Sequence, residues 1–507
     1  MSVNKRIAKN TLMLYGRMLF SMIVTLYTSR VVLNTLGVED FGIYSIVAGV
    51  IIMFGFLNNA MSASTQRFLT FESAKGNIDS LKNIFNVSIT IHLIIAIIIF
   101  IIAETIGVWF LNTQLNIPLE RMTAANWVFQ FSIFSFFISV CLVPYNAVII
   151  ANEKMQAFAF IGLVEVILKL IVVFLLTIIE FDQLITYAAL LCFVTIVVKV
   201  SEQVYCKLHF NESKNVVLTW DKDMTKDMGA FAGWNLFGVA AGIGYGQGVN
   251  VLLNIFFGAT INASRGIAFQ IQGAISSLIT NFQLALAPAI TKGYARDESK
   301  QTFDLVFSSS KLSFYLLLIF AIPLLVKTNY ILVWWLKIVP EYSVIFTKLI
   351  IIDLVISSLS GPLHILVQAA GKIRNYQILV SGILILNVPF SYLFLKLGYS
   401  PEITIVISIF FSLIALCARL FILHFSMLFP ISQYFKKVIF KVVIVTFISW
   451  GISYYISLYL QNDFLDFMII CLVSSITILL SVFYFGMDSL EKSFIVSKTV
   501  NILKRYK

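Results

Sequence analysis

The residues of this chain that could do chemistry are charged side chains set inside long apolar stretches: Arg17, Arg30, Glu165, Lys169, Lys199 and Asp353. Charge held away from water is costly; where it persists it is paired, binds an ion or marks a solute path. At 100° per residue Arg17 and Arg30 project about 140° apart on one helix, so they would meet an anion at different depths. A guanidinium suits bidentate capture of phosphate oxygens. Arg265, within Asn262-Ala263-Ser264-Arg265-Gly266, offers the same chemistry at the start of another apolar stretch. The plainer readings are snorkelling to head groups for Arg17 and an interfacial anchor for Arg30 and Arg265. Glu165 and Lys169 stand at i, i+4 and form an ion pair, either structural or gating. Asp353 has no basic residue at i±3 or i±4. It is a candidate proton or sodium site, unless a cation on another helix pairs with it.

Uncharged polar residues add two stripes. Asn58, Ser62 and Thr65, flanked by Asn59 and Gln66, fall at i, i+4, i+7; Gln270, Ser277 and Asn281 fall at i, i+7, i+11. Amides facing lipid would go unsatisfied, so both stripes should face protein or water. They line a central cleft or bond between helices; their matching placement in the two halves favours the cleft. Metal chemistry has no support: the four histidines are scattered, no H-E-x-x-H occurs, and the five cysteines form no C-x-x-C and read as buried thiols. Alternate glycines from Gly242 to Gly248 imitate a phosphate loop, but they sit inside an apolar run with no strand before them. They fit close packing or bending of a helix.

The elements that must position these residues are membrane helices. Of 507 residues 59% are hydrophobic and 12% charged, which no soluble domain could bury. Runs long enough to span a bilayer predict fourteen helices: 11–36, 41–62, 84–111, 126–150, 158–179, 184–205, 229–257, 267–290, 305–328, 346–370, 376–397, 402–425, 439–459 and 464–486. The first is too long, and too charged, for a cleavable signal. Pro144, Ala151 and Lys154 recur as Pro362, Ala369 and Lys372, an offset of 218, and the flanking spans follow it. The fold class is therefore an all-α integral membrane protein of two six-helix lobes in parallel repeat, plus two further helices. Residues 1–205 make the first lobe, 206–228 a charged connector, 229–425 the second lobe, and 426–507 the added helices and basic tail. With the N-terminus inside, 24 basic residues fall in inner segments and five in outer ones, which places both termini in the cytoplasm. The net charge of +11 is spread over short loops, so nucleic acid is not an expected partner. The short loops also leave no room for a glycosyltransferase domain and argue against a glycan polymerase or ligase.

The stretch Thr35-Leu36-Gly37-Val38-Glu39-Asp40-Phe41-Gly42-Ile43-Tyr44, then Asn58-Asn59-Ala60-Met61-Ser62, and Ala287-Pro288 before a basic loop, resemble the MOP (MATE-like) exporter superfamily. Within it the chain is similar to bacterial polysaccharide (Wzx-type) flippases. That resemblance implies translocation of a lipid-linked oligosaccharide, such as an O-antigen unit of lipopolysaccharide, across the bacterial inner membrane by alternating access. It implies a non-enzymatic transporter with no bound cofactor, proton or sodium coupling, and membrane lipids and polysaccharide-assembly membrane proteins as partners. Arg17, Arg30 and Arg265 would contact the pyrophosphate, and the amides of the two stripes the sugars. The alternative is a MATE-type multidrug exporter, whose cavities are commonly acidic; here the first span carries two arginines and no carboxylate.

Overall fold

The computed structural model describes residues 3–52, 55–113, 117–179, 181–257, 259–336, 339–460, 464–488 and 491–493. Every expected span falls on helix. In chain order the helices are α1 (Val3–Ile52), α2 (Gly55–Lys75), α3 (Ile78–Ile102), α4 (Val108–Thr113), α5 (Met122–Cys141), α6 (Val143–Ala151), α7 (Met155–Leu176), α8 (Gln183–His209), α9 (Lys222–Phe257) and α10 (Ala259–Ala295). They continue as α11 (Ser299–Val326), α12 (Thr328–Leu336), α13 (Ser343–Ser358), α14 (Ser360–Ala370), α15 (Ile373–Ile385), α16 (Asn387–Lys396), α17 (Ile403–Met427), α18 (Ile431–Tyr434), α19 (Phe440–Ser457) and α20 (Phe464–Ser481). Among the described residues eleven helical stretches are long and apolar enough to cross a membrane, or twelve with the bent pair α13–α14 counted as one. The expected spans 11–36 and 41–62 lie on α1 and α2, outside that set. The turn expected between them is a one-residue break at Gly37 (φ 76°, ψ 170°), a backbone region that glycine enters without Cβ strain.

Several expected single spans are broken. The fourth breaks at Leu142, the eleventh at Leu386, and the tenth at Leu359, where α13 and α14 bend by 41°. Pro144 and Pro362 stand in the first turn of the second piece, where a missing N–H costs nothing. The repeat is visible in the backbone. Glu153 (φ 57°) and Gly371 (φ 76°) both take left-handed conformations. Lys154 (φ −82°, ψ 54°) and Lys372 (φ −86°, ψ 56°) precede α7 and α15 in nearly the same conformation.

The chain forms two compact units: residues 1–239 with 291–297, and 240–290 with 298–507. The boundary lies inside α9, at Val239, beyond the expected connector 206–228. In the first unit α1 packs on α7 and α5 on α8, around Val47, Ala125, Val128 and Leu184. Phe193, Ile171 and Phe174 point outward, as lipid contact requires. In the second unit Val249, Leu253, Phe346, Ile350 and Ile405 form one core. The added helices α19 and α20 pack on each other and on α11. Their inward faces mix Val445, Ile470 and Ile478 with the small hydroxyl residues Ser449, Ser453 and Ser474, which allow close approach.

Residues expected in outer turns come together. Arg121 is bonded to Asp40 and, at 2.6 Å, to Asp182. Asp182 also caps α8, accepting from Leu184 N and Ile185 N at 3.1 Å. At the other end of this unit Lys292 pairs with Glu153 at 3.0 Å, and Asn83 donates to Asp221 at 3.0 Å. Burial pushes the Asp182 carboxyl up, but hydrogen bonds from Arg121 and the α8 backbone outweigh it and hold it below the usual range. Its contribution is thus present above the unfolded value, near 3.9, and is lost as pH falls through the depressed one. Arg121→Gln is expected to cost about 1 kcal/mol at neutral pH and to lose most of that difference in strong acid. Thermal unfolding at both pH values checks this.

Candidate functional site

The charges singled out within the spans cluster in the first unit; in the second, Asp353 and Arg265 have separate hydrogen-bond partners. In the first unit, Phe158, Gly162, Glu165 and Lys169 fall at i, i+4, i+7 and i+11 along α7, one face of a helix. Arg17 of α1 lies against that face, its guanidinium 4.6 Å from the Phe158 ring centroid. A Cβ on Gly162 would meet Arg17 Nε at 2.6 Å and Cζ at 2.8 Å, so the glycine makes the seat. Lys169 Nζ donates to Glu165 Oε1 at 2.6 Å, as the spacing predicts. Arg17 stands in the field of Glu165 and Glu202. Glu202 in turn takes Lys199 at 2.9 Å and Asn146 Nδ2 at 2.8 Å. Lys199 is therefore paired within its own helix. The side chains of Arg30, Asn58 and Asn59 lie outside the described residues. Ser62 is half-buried.

In the second unit Asp353 on α13 has no cation partner among the described residues. Ser408 on α17 donates to its Oδ2 at 3.2 Å, and Ser412, one turn on, adds a second hydroxyl beside the carboxyl. Tyr245 of α9 bonds to Ser408. Asp353 Oδ1 is buried without a hydrogen-bond partner, so the carboxylate is held on one side by hydroxyls and retains a free acceptor. Such a group can hold a proton or ligate a small cation. No group of three or more His, Cys, Asp or Glu side chains suited to a metal occurs among the described residues.

Arg265 is 3% exposed. It bonds to Asn250 and to Gly246 O, and its guanidinium lies 4.3 Å from the Phe269 ring. It is neither an exposed anchor nor open to solute in this conformation. On α10 Gln270 is exposed, and Ser277 and Asn281 are half-buried with hydrogen bonds to their own helix, Ala274 O at 2.6 Å and Ser277 O at 2.8 Å. Arg419 ties α17 to Tyr376 OH (2.9 Å) and Ser360 Oγ (3.0 Å) beside the α13–α14 break. Of the expected buried thiols, Cys417 is exposed.

Spacing on α7 could have revealed Phe158 and Gly162, and the i, i+4 pair on α17 could have revealed Ser408 and Ser412. Nothing in the sequence joins either pair to its partner.

No protein-family model and no curated protein matches the chain. Solved structures do. A MATE transporter in the bent conformation has a TM-score of 0.71 at 12% identity, over 83% of this chain and 94% of its own. The Vibrio cholerae MATE transporter VcmN in the bent form gives 0.68 at 16%, over 83% and 96%. A Pyrococcus furiosus MOP superfamily transporter, described by the reverse polarity of its binding pocket, gives 0.65 at 14%, over 82% and 94%. The chain is a multi-pass membrane protein with the MATE-like fold of MOP superfamily transporters.

Proposed function

We propose that the protein is a flippase that exports a lipid-linked oligosaccharide across the bacterial inner membrane by alternating access, both termini in the cytoplasm, for surface polysaccharide assembly. The observation that carries this reading is the seat of Arg17: a guanidinium inside an apolar helix, held by Phe158 and given room by Gly162. It is a preorganised cation for the pyrophosphate, with Arg30 as a second contact at another depth and the α2 and α10 amides as sugar contacts. Asp353 would carry the coupling proton or sodium. Arg265 would join them only after releasing Asn250. One observation favours the second reading, a cation-coupled MATE-type multidrug exporter: Asp353 is a carboxylate without a cation partner among the described residues, and that chemistry suits a cationic solute as well as a coupling ion.

Purified protein in proteoliposomes, given fluorescent polyprenyl-pyrophosphate oligosaccharide, is expected to flip it. Arg17→Ala should lower the rate at least tenfold, about 1.4 kcal/mol of lost binding. Asp353→Asn should abolish the response to an imposed ion gradient and spare gradient-free exchange. Inert lipid substrate together with Asp353-dependent efflux of cationic dyes would replace the flippase with the drug exporter.

A further inference from the structure

A cavity of about 380 Å³ opens inside the first unit, lined by Ser132, Ser135 and Ser139 of α5, Thr195 of α8, Tyr44 and Lys169. The serines fall at i, i+3 and i+7, so one face of α5 presents three hydroxyls to it. Ser132, Ser135 and Thr195 donate to the carbonyls one turn back, Val128 O, Phe131 O and Leu191 O. Their oxygens keep lone pairs for an incoming donor. Phe131 and Phe136 add aromatic surface. The volume is that of a small-molecule site.

Lys169 is the charged side chain that lines the cavity, and it belongs to a cluster whose charge is unbalanced. Arg17, Lys169 and Lys199 oppose Glu165 and Glu202, three cations to two carboxylates. Lys199 is spent on Glu202, which leaves Glu165 between Arg17 and Lys169. The side chains of the Glu165–Lys169 pair are 37% and 48% exposed, so an incoming anion can reach Lys169. Lys169 has three N–H donors and Glu165 Oε1 takes one of them. When an anion enters the cavity and takes Lys169, Glu165 remains in the field of Arg17.

We propose that this cavity binds an acidic sugar, a ring bearing a carboxylate, through Lys169 and the hydroxyls of α5 and α8. The carboxylate meets Lys169, the ring hydroxyls meet Ser132, Ser135, Ser139 and Thr195, and the ring lies against Tyr44 and the phenylalanines. The inference deepens the export reading by naming a substrate class, and rests on it for its role in transport but not for binding.

The test is equilibrium binding to the full-length protein in nanodiscs, by titration calorimetry, with glucuronate, glucose and inorganic phosphate as probes. Glucuronate is expected to bind at least tenfold more tightly than either of the others. Lys169→Gln should remove that preference and Lys169→Arg should keep most of it. Ser135→Val, which leaves every charge in place, should weaken glucuronate several-fold and gives a second line of evidence if Lys169→Gln misfolds. Glucose equal to glucuronate, phosphate equal to glucuronate, no glucuronate binding, or a preference that survives Lys169→Gln overturns the proposal. Glucuronate binding without lipid flipping would sink the flippase and spare this site; flipping with no uronate binding would do the reverse.

Discussion

Replacing Asp488 and Glu491 together by alanine is expected to destabilise the protein by about 3–5 kcal/mol, whereas Lys311→Met should cost about 1 kcal/mol or less. Lys311 lies in α11 and is 2% exposed; its Nζ reaches Asp488 Oδ2 at 2.9 Å and Glu491 Oε2 at 2.8 Å. Lys441 of α19 shares Asp488, and Ser308 donates to Glu491 at 2.7 Å. The segment after α20 thus folds back and supplies the counter-charge for an ammonium whose residue lies one turn from Ser308 on one side and from Tyr315 on the other. The asymmetry follows from burial. Without the carboxylates, Lys311 is a buried, unpaired charge with Lys441 nearby. Without Lys311, the carboxylates are 39% and 27% exposed and relax toward water, Asp488 keeping Lys441, while methionine fills the space. Unfolding in nanodiscs, read as Tm for the three proteins, checks the order. Burial pushes the Asp488 carboxyl up, but Lys441 and Lys311 outweigh it and hold it below the usual range. That contribution is complete above the unfolded value near 3.9 and disappears as pH falls through the depressed one. Wild type and the double variant should therefore converge in strong acid.

That cluster also shows where the sequence stops being informative. Run length and the offset of 218 carry the spans and the repeat, because both are properties of one stretch of chain: a bilayer needs about 20 apolar residues in a row, and duplicated backbones turn alike at Glu153 and Gly371. The ion pair of Glu165 with Lys169 is readable for the same reason, being one turn apart. Lys311 is not, since at the polar start of an expected helix it resembles any inner-end lysine. Its counter-charges lie more than 170 residues away. Asp353 stood out as a carboxylate without a local cation, yet its hydroxyl neighbours come from α9 and α17, and helix rotation is set by packing rather than by period. Arg419 went the other way: near a span end it reads as interfacial, but Tyr376 and Ser360 draw it to the α13–α14 break. Helix ends were underestimated where polar turns continue the helix, as at Lys222–Asp223 of α9, because hydropathy marks the end of lipid, not of the hydrogen-bond ladder.

Gly162→Ala is expected to leave stability unchanged or slightly raised while lowering lipid flipping about as much as Arg17→Ala does. Two terms act on stability. Alanine in a helix interior gains up to about 1 kcal/mol over glycine, and the new methyl collides at 2.6–2.8 Å with Arg17 Nε, Cδ and Cζ. Those atoms are the far end of a flexible side chain, so the collision is relieved by rotating the guanidinium away and not by moving α1 from α7. The gain and the cost nearly cancel. Relief comes at the expense of the cation's position: Arg17 leaves the Phe158 face and the neighbourhood of Glu165. If the guanidinium acts by being held there, the loss reads in the transport rate at unchanged Tm. If Arg17 merely snorkels to head groups, it has other places to stand and the rate is unaffected. Measuring flipping and Tm on the same reconstituted Gly162→Ala protein separates the two, since the substitution keeps every charge in the chain and alters only where one of them sits.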